Sequence, residues 1–138
     1  MSDGSRHKSV VLILAREFAT RLATPMFITD ADGNMIFFNE PAEQIVGRAF
    51  ADTGELPAAE WRALFQVEDS EGKPMPLEKL PSGIALNERR PSHAQLTVGW
   101  PDGRRREIAV TAFPLFSRSA EFEGAVIVFW EEPGGPAG

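Results

Sequence analysis

The chain has 138 residues, no cysteine, no tyrosine, two histidines and a formal net charge of −6. Without cysteine there can be no thiolate nucleophile, zinc ribbon, iron–sulfur cluster or disulfide, and His7 and His93 are too few for a three-histidine zinc site. The acidic balance argues against a nucleic-acid partner, which would need a basic face.

The longest apolar run, Val10 to Ala15, falls far short of the ~20 residues a membrane span needs. No secretory signal pattern is present. The expectation is a cytoplasmic protein with no membrane partner. The length fits one domain with a core of its own.

Residues 1–7 are small and polar and are expected to be loose. The segment 8–24 is expected to hold an amphipathic helix over 8–23. Val10, Val11, Leu14, Phe18 and Leu22 make its apolar stripe. Thr24-Pro25 ends it, because the residue before proline avoids the helical region. Two β-rich runs follow, Met26–Asp30 and Asn34–Phe38. The Asp32-Gly33 pair between them is a strong hairpin signal. Asn39 reads as an N-cap, since its side chain can accept from a free backbone N–H. Pro41 suits the first turn of that short helix and Gly47 its C-terminal end.

The middle is irregular. Pro57–Phe65 suggests a helix burying Trp61, Leu64 and Phe65, and residues 69–76 read as a loop. Leu80–Glu88 suggests another helix with Pro81 in its first turn. Three strands then follow: Pro91–Trp100, Arg104–Phe116 and Phe122–Trp130. Pro101-Asp-Gly103 turns the first into the second. Residues 132–138 are rich in glycine and proline and read as a flexible tail. Strands grouped around a helical insert predict an α+β fold with an antiparallel sheet.

In this order and at these intervals the motifs resemble a PAS domain over residues 25–131. The resemblance rests on Phe27-Ile-Thr-Asp-Ala-Asp-Gly33, the Asn39-Glu-Pro-Ala-Glu43 helix start and Gly47. It continues in Pro101-Asp-Gly-Arg104, Ala112-Phe-Pro114 and the closing run Gly124–Trp130. It implies a five-stranded antiparallel sheet of order 2-1-5-4-3, helices cupped over one face around a cavity, and the added N-terminal amphipathic helix. It also implies a sensor that passes a signal to a partner or effector, although the fold does not specify the signal. Cysteinyl-flavin photochemistry would need a cysteine, which is missing. Heme would need a histidine on the 80–88 helix, which has none. No cofactor is therefore expected, and an unknown small molecule is the candidate ligand.

Matching strand alternation to the family pattern points Phe27, Thr29, Leu96, Val98, Ile108, Val110, Ala112, Ala125, Ile127 and Phe129 toward the helices. Ala42 and Leu86 face them from the helix side. Within this set only Thr29 can hydrogen-bond. The reading is either a filled core or a pocket for a small apolar or weakly polar molecule, with Ala42, Ala112 and Ala125 leaving space. Ile28, Ala109, Thr111, Phe113, Val126, Val128 and Trp130 point the other way. That outer face is too apolar to stay wet. It is expected to be covered by Val10, Val11, Leu14, Phe18 and Leu22, in cis or from a second subunit of a homodimer.

His93 has the outward parity and is expected at the surface. Arg104-Arg-Arg106 reads as a solvated hairpin end, and Asp30 and Asp32 as turn caps rather than metal ligands. A sensory or regulatory module is the leading reading. A ligand-free interaction module is the alternative. A small cone-fold isomerase or dehydratase would need an inward acid, and the inward set has none, so no enzyme is expected. The chain contains no effector segment, so the effector is expected in trans or on a longer chain.

Overall fold

Local signals set the first half of the chain. In the computed structural model, which describes residues 10–46, 49–63, 66–69, 71–99, 103 and 105–131, Val10–Thr20 forms helix α1. Strands β1 (Met26–Asp30) and β2 (Met35–Phe38) follow, paired antiparallel. Asp30 builds the turn between them. Its Oδ1 accepts from the backbone N–H of Asp32 at 2.9 Å and of Asn34 at 3.0 Å. Gly33 supplies the positive φ of 88° that the turn requires. Helix α2 (Glu40–Val46) starts at Asn39, whose Oδ1 accepts from Ala42 N–H at 3.2 Å, as an N-cap should.

Three short helices follow: α3 (Phe50–Thr53), α4 (Ala58–Ala63) and, after a 3₁₀ turn at Leu77–Lys79, α5 (Pro81–Asn87). Pro81 opens α5 in the first turn, where its missing N–H leaves nothing unpaired. Strand β3 (Gln66–Glu68) lies between α4 and α5. The long strands β4 (Ser92–Gly99), β5 (Arg105–Phe116) and β6 (Phe122–Glu131) close the fold.

The sheet is antiparallel with order β2-β1-β6-β5-β4-β3. The architecture is the expected α+β one, but with six strands rather than five. The extra strand β3 sits at the edge beside Thr97–Gly99. It forms because the chain folds back on itself just after it. Asp69 N–H donates to Lys73 C=O at 2.8 Å and Met75 N–H to Val67 C=O at 3.0 Å. Three residues are too few to show a period in sequence.

The sheet separates two apolar layers. One face carries Phe27, Leu96, Val98, Ile108, Val110, Ile127 and Phe129 against the helical middle of the chain. The other carries Met26, Ile28 and Val126 against α1. Each such side chain removed from water stabilises the fold by about 1.5–3 kcal/mol.

Helix α1 departs from expectation in two ways. It stops at Thr20 rather than residue 23, because the Asn39 carboxamide takes the carbonyls of Ala19 and Thr24 at 3.0 and 2.9 Å. Its sheet-facing side is also different. Ala19 is fully buried, and Leu12, Ala15 and Leu22 pack beside it. From the expected stripe, Val10, Leu14 and Phe18 are exposed instead. The helix is apolar on two adjacent sides, so periodicity alone could not choose between them. Arg16 helps to fix the choice, with its guanidinium 4.6 Å from the centre of the Phe37 ring and 5.5 Å from that of Phe50.

No described helix is long and apolar enough to cross a membrane. The expectations for residues 1–7, Gly47, Leu64, Phe65, the Pro101-Asp102 part of the turn, Arg104 and residues 132–138 lie outside the described residues.

Candidate functional site

A cavity of about 220 Å³ lies between the sheet and the helical layer. Its floor comes from four neighbouring strands: Phe27 of β1, Ile127 and Phe129 of β6, Ile108 and Val110 of β5, and Leu96 and Val98 of β4. Cross-strand register places them on one face, since Phe27 pairs with Ile127, Val110 with Phe129 and Leu96 with Ile108. The opposite wall is Trp61 of α4, Val67 of β3, Met75, Leu80, and Pro81 and Ser82 of α5.

The first hairpin positions Trp61. Its indole N–H donates to the Gly33 carbonyl at 2.9 Å. Asn34 Oδ1 accepts from Ala58 N–H at 2.9 Å and so holds the start of α4. A turn 28 residues away thus fixes one end of the cavity. The aromatic end is continuous. Phe27 lies 5.1 Å from Phe129 and 6.3 Å from Trp61 between ring centroids.

Among the twelve residues expected at a pocket, Phe27, Leu96, Val98, Ile108, Val110, Ile127 and Phe129 line this cavity. Thr29, Ala42, Leu86, Ala112 and Ala125 do not. Thr29 is fully buried, but its Oγ1 accepts from Ala125 N–H at 3.2 Å, so it holds the β1–β6 pair rather than facing open space. Ala42, Ala112 and Ala125 are also fully buried. Small residues there let the layers pack closely, and none of them lines the open space. Trp61, Val67, Met75, Leu80, Pro81 and Ser82 were not in the expected set. Only Trp61 carried a signal, as a large apolar side chain on a helix face. The others are brought in by the fold-back at β3 and by the approach to α5.

Among the described residues of the cavity wall, none is charged or titratable. Its polar side chains are Trp61, whose N–H is engaged, and Ser82. Among the described residues, no group of histidines and acids could hold a metal ion. Arg105 donates to both carboxylate oxygens of Glu68. That hydrogen bond holds the Glu68 carboxyl below its ordinary pKa and raises that of Arg105.

On the outer face, Ile28 and Val126 are buried beneath α1, and Val128 and Leu22 are half-buried beside them. Phe113 and Trp130 are exposed, as are Val10, Leu14 and Phe18 of α1, while Val11 is half-buried. His93 is at the surface on this same side, its ring 6.1 Å from that of Trp130. Arg106 pairs with Glu131 at 3.2 Å, in keeping with a solvated hairpin end.

The sequence matches no protein-family model and no curated protein. Solved structures resemble it closely in shape. The PAS domain from Bordetella pertussis BvgS is 17% identical with a TM-score of 0.64, over 91% of this chain and 89% of that one. The Rhodobacter sphaeroides LOV protein is 13% identical with a TM-score of 0.67, over 91% and 69%. The PAS domain of nitrogen regulation protein NR(II) from Vibrio parahaemolyticus is 16% identical with a TM-score of 0.59, over 86% and 98%. At these identities the likeness is one of fold. The chain is a domain of the PAS fold.

Proposed function

We propose that this is a sensory or regulatory module that binds a small apolar or weakly polar molecule in its cavity and signals through α1 and the outer sheet face. The cavity carries the reading. It offers about 220 Å³ between walls that are mostly apolar with few polar groups, as small-molecule pockets are. An apolar cavity of ~150 Å³ in another protein stays dry and admits benzene.

The described wall holds no titratable group, and the proposal includes no catalytic step. It also holds no histidine, and the chain has no cysteine. Heme ligation and cysteinyl-flavin chemistry are therefore outside the proposal, and a freely exchanging ligand is inside it. Such a ligand acts by binding one arrangement of the protein better than another. The outer surface supports a homodimer as the signalling unit. Val10, Leu14 and Phe18 on α1 are 66%, 62% and 59% exposed, and a two-fold pairing of copies would bury them. We place the protein in the cytoplasm, with its effector on another molecule or another stretch of chain, and with neither membrane nor nucleic acid as partner.

Titration of toluene into the purified protein tests the ligand half. The thermal midpoint rises, and Val98→Phe, which fills the cavity, abolishes the rise. A folded wild-type protein whose midpoint stays put at saturating toluene sinks ligand sensing. The exposed ridge of α1 would then favour the second reading, a ligand-free interaction module.

A further inference from the structure

We propose that the cavity selects a neutral, single-ring aromatic molecule with one hydroxyl or carbonyl substituent, and that Ser82 is the residue that reads that substituent. The proposal rests on the ligand-binding reading above and names the class of ligand.

Size sets the ring count. If ~150 Å³ accommodates the six carbons of benzene, the ten of a fused pair need roughly 250 Å³ and eight heavy atoms roughly 200 Å³. The cavity offers about 220 Å³. A ring with two small substituents fits inside, whereas a fused second ring would project through the opening into water.

Charge sets the ionisation state. A carboxylate or ammonium taken into this wall would lose its hydration and meet no counter-charge among the described lining residues. The wall chemistry favours an aromatic ring. Phe27, Trp61 and Phe129 already form a cluster with centroids 5.1 and 6.3 Å apart. A further ring can extend it in the tilted geometries such groups prefer. Met75 adds a thioether, which packs well on ring edges.

The polar group has a defined place. The aromatic end is buried, whereas Met75, Leu80 and Ser82 are half-buried, so the cavity opens on the Ser82 side. The Trp61 N–H is committed to Gly33 and cannot serve a ligand. Ser82 makes no hydrogen bond to another described side chain, which leaves its hydroxyl able to donate or accept. A ligand with its ring in the aromatic end presents its substituent at Ser82.

The test is calorimetric titration with toluene, 4-methylphenol, 4-methylbenzoate and 2-naphthol at neutral pH. Wild-type protein binds toluene and 4-methylphenol and binds neither 4-methylbenzoate nor 2-naphthol. Ser82→Ala, which favours a helical residue and preserves folding, weakens 4-methylphenol about three- to tenfold. It leaves toluene within about twofold, because toluene offers Ser82 nothing to pair with. Ser82→Thr, which keeps the hydroxyl, restores the preference. Equal effects of Ser82→Ala on both ligands overturn the role of Ser82. Binding of 4-methylbenzoate or 2-naphthol as tightly as 4-methylphenol overturns the ligand class. If neither toluene nor 4-methylphenol binds the folded protein, the ligand-sensing reading itself falls, an outcome separate from the other two.

Discussion

Asn39 Nδ2 donates to the carbonyl oxygen of Ala19 at 3.0 Å, joining the end of α1 to the start of α2 across the β1 layer. The same carboxamide donates to Thr24 C=O at 2.9 Å, and its Oδ1 accepts from Met26 N–H at 3.0 Å and Ala42 N–H at 3.2 Å. Four backbone groups depend on one side chain that is 2% exposed. Removing it takes a partner from each, although Ala19 C=O keeps Leu22 N–H at 3.1 Å, and costs about 1–3 kcal/mol for each buried group left unpaired. Asn39→Ala is therefore expected to lower stability by about 2–4 kcal/mol by urea unfolding, allowing for relaxation. Asn39→Asp is expected to be destabilising too, because it points a carboxylate at two carbonyls. A loss under about 0.5 kcal/mol for Asn39→Ala, the size of an ordinary surface change, would show that the contact does not tie the layers together.

Gly124 is held to glycine by the strand beside it. A Cβ there would sit 2.0 Å from the Thr29 carbonyl oxygen, and its φ is 151°. Gly124→Ala forces β1 and β6 apart where Asp30 ends β1 and is expected to cost more than about 3 kcal/mol. Gly72 makes a control, with a φ of 84° but open space around its Cβ position. Gly72→Ala carries backbone strain alone, about 1–2 kcal/mol. Equal effects of the two changes in denaturant titrations would contradict the steric argument.

Glu68 makes the stability of the β3 edge depend on pH. The hydrogen bond from Arg105 lowers its pKa, opposed by desolvation and assisted by the Arg105 charge. A carboxylate whose folded pKa is depressed contributes stability above its unfolded value, and the contribution is lost as pH falls through the folded value. The window therefore lies below the ordinary glutamate value of about 4.5. The pair is solvent-exposed, so the effect is small and weakens with salt. Glu68→Gln should lower the urea midpoint near neutral pH and match wild type in acid. A difference that grows as pH falls would refute the assignment.

The two apolar sides of α1 should respond differently to charge. Leu14→Glu and Phe18→Glu change exposed positions and are expected to dissociate the proposed dimer with little change in urea stability extrapolated to the monomer. Ala19→Glu introduces a carboxylate at a fully buried contact with the sheet and is expected to unfold the protein or loosen α1. Sedimentation equilibrium and circular dichroism separate the outcomes. Wild-type protein that sediments as a monomer at high concentration would remove the dimer from the proposed function.

Local chemistry made much of the first half of the chain readable. The Asp30–Gly33 turn and the Asn39 cap are built by side chains bonding to backbone a few residues away. Alternation along β4, β5 and β6, matched to the pattern of the family the sequence resembles, also pointed to the strand residues that face the helices. The extra strand β3 was not readable, because three residues held by a fold-back carry no period. The side of α1 that meets the sheet was not readable either, because Leu14 and Phe18 look as apolar in sequence as Leu12 and Ala19.

The sequence by itself determined the α+β order, the caps and turns, and the lack of thiol chemistry in a chain without cysteine. Those properties depend on residue identity and on bonds between near neighbours. Only the tertiary structure decided that the cavity lies beneath Trp61 and Ser82 rather than beside the small Ala112 and Ala125. Only there does Thr29 turn its hydroxyl to Ala125, and Asn39 reach back to Ala19. A void is set by how several distant segments fail to meet, and that sum is not contained in the periodicity of any one of them.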